Sequence, residues 1–306
     1  MNSIPFLRRA LHHPFTRLVL CLVLAAVLSV LFQWLGSALR LNRLPSDNLR
    51  TWVFATNNAL AVLLAMVLVE WGVERRTLAQ LGLGQQGACR DVGWGLLLGT
   101  VLMSTVVGVM ALAGWYRLVE EGPESLVDEA KDALAWAAIF AAAGFFEEVA
   151  FRGIAFRLLE EWLGSAAALL VSSAFFGLLH GANPHATWFA TLAIALEAGV
   201  LLGAAYMLTR SLWFATGVHV AWNWIQGPLF GVAVSGTDVD RLLESRVEGP
   251  EAWTGGAFGA EAGGVALLLC TTAGLLLLAQ AVRQGQWISF LPRRRARRER
   301  GTATAS

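Results

Sequence analysis

The sequence predicts an all-α polytopic membrane protein with about eight transmembrane helices. Three observations carry that expectation: 56% of the 306 residues are hydrophobic, only 15% are charged, and the charges punctuate long uncharged runs. A soluble domain carries about 25% charged residues. The composition therefore excludes disorder and argues against an ordinary water-soluble enzyme.

The runs locate the helices in order, since about 20 apolar residues span the hydrocarbon core. Leu18–Leu39 is uncharged and flanked by Arg17 and Arg40, and it is too long to be the apolar core of a secretion signal. Thr51–Val69 and Val92–Tyr116 follow. Ala133–Phe146 is short to its first charge, but its apolar pattern continues through Val149, Ile154 and Leu158. Asp132 to about Glu160 therefore reads as one helix with charges inside it. Trp162–Leu196 is too long for one span and breaks at Gly181-Ala182-Asn183-Pro184. Its second half must run past Glu197 to about Leu208. Ser211–Thr237 and Ala262–Val282 complete the eight.

Charge asymmetry sets an expected orientation. Net charge is +1, but residues 1–17 hold three Arg and no acid, and 283–306 hold seven Arg and one Glu. Both termini are expected in the cytoplasm, with Arg75, Arg76, Arg157 and Arg210 on that side and the acidic stretches Glu120–Glu129 and Asp238–Glu251 outside. Arg40, Arg43 and Arg50 run against the rule. The tail RRRARRER reads as a topology anchor near anionic lipid. The net-negative middle argues against a nucleic-acid surface. Cys21, Cys89 and Cys270 are odd in number and far apart, so neither a disulfide framework nor a cysteine metal site follows.

Polar groups inside these helices carry the chemistry. In Phe145-Phe146-Glu147-Glu148-Val149-Ala150-Phe151-Arg152-Gly153, Glu148 and Arg152 are four apart and share a face. Glu147 is turned about 100° away, because a helix has 3.6 residues per turn. A partly desolvated carboxylate suits general-base work, although charges at a helix end would look the same. Phe176 and His180 share a face just before the Gly/Pro break, as do His219 and Asn223 in the last uncharged run but one. Each pair could equally serve packing or helix capping. Together they place polar groups on three apolar helices, which tend to face inward and can enclose an intramembrane cavity. Glu147 and His180 could activate a water there, and His219 and Asn223 could take charge on an attacked carbonyl oxygen.

Glu-Glu-x-x-x-Arg, Phe-x-x-x-His and His-x-x-x-Asn, in that order, resemble the CPBP intramembrane proteases. That family includes CAAX prenyl endopeptidases of the Ras-converting type and bacteriocin-processing and immunity relatives. The likeness covers about Ala133–Gly236, and the stretches Gly199–Gly203, Tyr206, Ser211–Trp213 and His219–Gly236 resemble its bacterial branch. The resemblance implies that Glu147 activates water with His180. It also implies that Arg152 orders the pair of acids Glu147 and Glu148, and that His219 and Asn223 stabilise the oxyanion. It further implies a cavity open to the cytoplasm in a bacterial cytoplasmic membrane. Residues 1–132 then form an N-terminal group of about three helices, 133–236 the catalytic core, and 237–306 the outer loop, last helix and tail.

No cofactor is required as first choice. Zinc remains an alternative, with Glu147, His180 and His219 as its ligands in a metalloendopeptidase. His-Glu-x-x-His and Gly-x-Ser-Gly are both absent. The expected partners are the lipid bilayer and a membrane-associated peptide or protein substrate. The competing functions are a non-catalytic immunity or scaffold protein and a transporter. The sequence sets no oligomeric state. Glu197 is expected either to line the cavity or to sit near a membrane interface, with the interface preferred, and His12, His13 and His185 are expected to be peripheral.

Overall fold

A computed structural model describes residues 3–119 and 126–290 of the chain. The elements are α1 (Ser3–Leu11), α2 (Pro14–Ala38), α3 (Asp47–Glu74), α4 (Ala88–Leu112), β1 (Tyr116–Leu118), α5 (Leu126–Glu148), α6 (Arg157–Leu163) and α7 (Ser165–His180). They continue with α8 (Trp188–Ile194), α9 (Val200–Thr209), α10 (Leu212–Trp224), β2 (Ser245–Val247), α11 (Glu251–Thr254) and α12 (Gly264–Arg283). Three π-helical segments interrupt them: Val149–Phe156 joins α5 to α6, Ala195–Gly199 joins α8 to α9, and Ile225–Leu229 ends α10. The helix starts follow local chemistry. The His13 ring accepts from the Phe15 N–H ahead of Pro14, whose missing N–H costs nothing in a first turn. Ser46 caps α3 through the Leu49 N–H.

The protein is an all-α polytopic membrane protein. Among the described residues, six helices are long and apolar enough to cross a membrane: Pro14–Ala38, Asp47–Glu74, Ala88–Leu112, Val127–Leu163, Trp188–Thr209 and Gly264–Arg283. The other two expected spans are shorter than the sequence suggests. α7 stops at the Gly/Pro break after 16 residues, about 24 Å against a core of about 30 Å. The uncharged run 211–237 is helical only to Leu229, because Phe230 and Gly231, the latter at φ +64°, turn the chain back. The charged helix expected over Asp132–Glu160 exists as part of the continuous rod from Val127 to Leu163.

Small residues bring the site-bearing helices together. A side chain at Gly95 or Gly99 of α4 would overlap the Phe214 or Val218 carbonyl of α10, and one at Gly177 of α7 would overlap the Thr191 carbonyl of α8. Such close backbone approach is how membrane helices gain packing without a hydrophobic driving force between them.

The two ends of the bundle differ. At one end, Arg17 is fully buried and donates to Glu70 (2.9 Å) and Glu161 (2.5 Å). Arg157 and Arg76 also reach Glu70 (3.1 and 3.3 Å), and Arg210 pairs with Glu160 (2.5 Å). At the other end β1 and β2 pair antiparallel, Tyr116 opposite Val247. Glu120–Ser125 and the RRRARRER tail lie outside the described residues.

Candidate active site

Glu147 and Glu148 close α5 where it enters the first π-helical segment. Glu148 is fully buried, and its Oε1 accepts from Arg152 Nη1 (2.9 Å) and from His219 Nδ1 (2.9 Å). Arg152 also donates to the Ala198 and Gly199 carbonyls (3.1 and 3.4 Å), so the guanidinium ties α5 to the junction of α8 and α9. The i,i+4 pair read from the sequence is thus present, although the residues between its partners wind as a π-helix. π-Helical turns recur at functional sites. Here each of the three lies beside or within one set of polar residues: Glu147, Glu148 and Arg152; Glu197; His219 and Asn223.

Glu147 points elsewhere. Its Oε2 lies 4.0 Å from His180 Nε2 and 3.8 Å from His219 Nε2. Hydrogen bonds to oxygen run near 2.8 Å, so each gap is wider than a direct bond and of a size that one bridging water closes. His180 ends α7, and its Nδ1 lies 2.8 Å from the Phe176 carbonyl. A carbonyl only accepts, so Nδ1 carries the proton and a neutral ring leaves Nε2 as a lone pair facing Glu147. Phe176 is the shared wall. Its ring lies 4.5 Å from that of His180, 6.2 Å from that of His219, and 4.8 Å from the Arg152 guanidinium carbon. Asn223 stands one turn beyond His219 and lines the same small pocket as His180 and His219.

In the sequence, His180 stands at the far end of a helix that starts near Ser165, whereas Glu147 sits in mid-helix. The structure removes the difficulty, because α6 and α7 form a hairpin about Gly164. Glu147 lies 17 residues before that glycine and His180 lies 16 after it. The two side chains reach the same depth, about 24 Å from the arginine-rich end at 1.5 Å per residue.

Two spaces meet at His180. A groove of about 660 Å³ runs between α2, α6 and α7, lined by residues such as Phe15, Leu22, Phe151, Trp162 and Phe175, and ends on Glu147 and His180. A pocket of about 30 Å³ lies on the other side, lined by His180, His219, Asn223, Glu197, Ser235 and Glu261. Of the two places the sequence leaves open for Glu197, the structure supports the cavity: it is 1% exposed and lines the small pocket, where the π-helical turn at Ala195–Gly199 packs against α7. Ser235 and Glu261 went unnoticed as site residues because Ser235 follows the end of α10 and Glu261 sits in the short 3-10 turn Ala260–Ala262, both outside the three spaced motifs. His12 pairs with Glu74 and His13 caps α2, both away from the site; His185 lines neither space.

Helices of membrane-crossing length around a buried carboxylate and two histidines define a polytopic membrane protein with a polar centre. Residues 129–225 match the family model described as Type II CAAX prenyl endopeptidase Rce1-like, in agreement with the resemblance that the motif order suggested. The match spans about a third of the chain and includes Glu147, Glu148, Arg152, His180, His219 and Asn223. Nothing matches the chain among curated proteins or among solved structures. The family supports a protease function in a membrane setting.

Proposed function

We propose that the chain is an intramembrane glutamate-type endopeptidase that hydrolyses a peptide bond of a membrane-associated peptide or protein. The observation that carries this reading is the position of Glu147 Oε2, within one water of Nε2 on both His180 and His219. Glu147 takes a proton from a water held with His180, and the water oxygen bonds to the carbonyl carbon. An imidazolium at His219, whose Nδ1 is held by Glu148, and the Asn223 amide donate to the oxygen that becomes negative. The C–N bond then breaks, and Glu147 returns its proton to the leaving amine. Arg152 and Glu148 hold His219 in place and touch no reacting atom.

The apolar groove supports a substrate that arrives from within the bilayer as an apolar segment or lipid-bearing peptide, with its scissile bond at Glu147. Glu147, His180 and His219 are donor types that zinc accepts. Among the described residues, however, no group of three or more His, Cys, Asp or Glu is arranged to hold a metal ion. The proposed reaction uses protein groups alone. In this reading both termini face the cytoplasm of a bacterium, with the cluster of Arg17, Arg76, Arg157 and Arg210 marking that side.

The test is Glu147→Gln in cells, read by comparing the membrane peptide termini of wild-type and variant. The expected result is a set of termini present only with the wild-type protein. Identical termini, with the variant folded and at equal abundance, would sink the assignment. Flux of a solute through proteoliposomes that survives the substitution would identify a transporter instead.

A further inference from the structure

We propose that Glu197 and Glu261 share one proton across the small pocket behind His219 and Asn223, making that pocket the water-holding side of the hydrolytic centre. The first half stands on geometry alone. The second rests on the peptidase reading above.

Both carboxyl groups are buried, 1% and 3% exposed, and line the same pocket. Glu261 Oε1 accepts from the Ser235 N–H (2.5 Å) and hydroxyl (3.3 Å). Its Oε2 and both oxygens of Glu197 meet no nitrogen or oxygen partner. Glu197 has the Cys270 thiol as a hydrogen-bond partner, but a thiol is a weak donor, and burying so poorly solvated an ionised carboxylate costs far more than burying its neutral form.

The one cation that faces the pair is the His219 imidazolium, and it is already paired with Glu148. The pocket wall has no Lys or Arg. Arg152 comes close along the chain, but it is spent on Glu148 and on the Ala198 and Gly199 carbonyls. The other titratable groups facing the pair are the buried Cys270 thiol on α12, His219 on α10 and His180 on α7. One proton resolves the arrangement. On Glu197, directly or through a water, it serves Glu261 Oε2 and leaves the pair with a single negative charge, which Ser235 already solvates. A carboxyl pair of this kind titrates as a unit.

The pocket volume of about 30 Å³ exceeds the roughly 10–15 Å³ that one water needs. His180 lines both this pocket and the apolar groove. An apolar substrate in the groove closes that side of Glu147 to bulk water, and the pocket then remains as the wet side. Glu197 is a positioning residue here, acting through water on the reacting groups.

The experiment uses the full chain in lipid nanodiscs. Difference infrared spectra of wild type minus Glu197→Gln should lose one deuterium-sensitive C=O stretch of a protonated carboxyl group, and Glu261→Gln should remove or displace that same band. Two independent bands, or none, would overturn the shared proton. So would a metal cation retained by the wild-type protein and released in Glu197→Gln. Thermal unfolding checks both variants; if one fails to fold, the other and the wild-type band decide. On peptide substrate, Glu197→Gln should lower kcat roughly tenfold or more, leave KM unchanged and displace the pH profile. An unchanged kcat and profile would remove the link to catalysis. If Glu147→Gln retains cleavage while the band is present, the peptidase reading fails and the proton pair stands.

Discussion

Glu148 Oε1 accepts a hydrogen bond from Nδ1 of His219 at 2.9 Å, across 71 residues of chain. The same oxygen is held by Arg152. The second acid of the pair is thereby occupied with orienting a histidine, and the first is left to face it. A buried ion pair broken on one side is strongly destabilising. Arg152→Met should cost about 3–5 kcal/mol on that basis, while Glu148→Gln with Arg152→Met should cost less than the sum of the single changes. Thermal unfolding in detergent measures both. Additive losses would mean that the two side chains are not coupled.

His219 and Asn223 offer a separable effect. Asn223→Ala removes one candidate oxyanion donor, and such losses run to roughly 10²–10³ in kcat. KM for the peptide should stay within a factor of a few, because the apolar groove lies on the other side of His180. Steady-state kinetics in proteoliposomes gives the split. A rise in KM with kcat intact would place Asn223 in substrate binding instead.

Metal dependence has a direct outcome. Cleavage by the purified protein should survive prolonged treatment with a strong chelator, and zinc add-back should give no increase. Loss on chelation with full recovery on zinc would convert the Glu147, His180 and His219 set into a ligand shell.

The ion-pair cluster at the arginine-rich end should rank by burial. Glu70 is fully buried and holds Arg17, Arg76 and Arg157. Glu70→Leu takes the carboxylate partner from the buried Arg157 and one of two from Arg17, which keeps Glu161, and should cost about 3–5 kcal/mol. Arg76 is 26% exposed, and Arg76→Leu should cost about 1 kcal/mol or less. Unfolding midpoints of the two variants in the same detergent check the order.

Much of this was legible in the residues. Uncharged runs located the helices, because the bilayer sets their length and excludes charge. Four-residue spacing found Glu148 with Arg152, because one helical turn puts both on a face. What stayed hidden depends on backbone irregularity and on loops. Nothing in Val149–Phe156 or Ala195–Gly199 announces a π-helical turn, yet the second of these buries Glu197. Ser235 and Glu261 reach the pocket from the two ends of the connection that folds back between α10 and α12, a tertiary event with no local signature. The break at Gly181 was legible, whereas the end of the last uncharged run but one was not, because hydropathy measures how greasy a run is and not that Gly231 turns the chain.

The hairpin at Gly164 works as a common origin for two rulers. Its φ of +84° and the Ile288 carbonyl pressed against it leave no room for another residue type. Inserting or deleting one residue in either arm would swing that arm's polar group by about 100° and separate carboxylate from imidazole. Length changes on the two sides of this turn should therefore be tolerated only in compensating pairs.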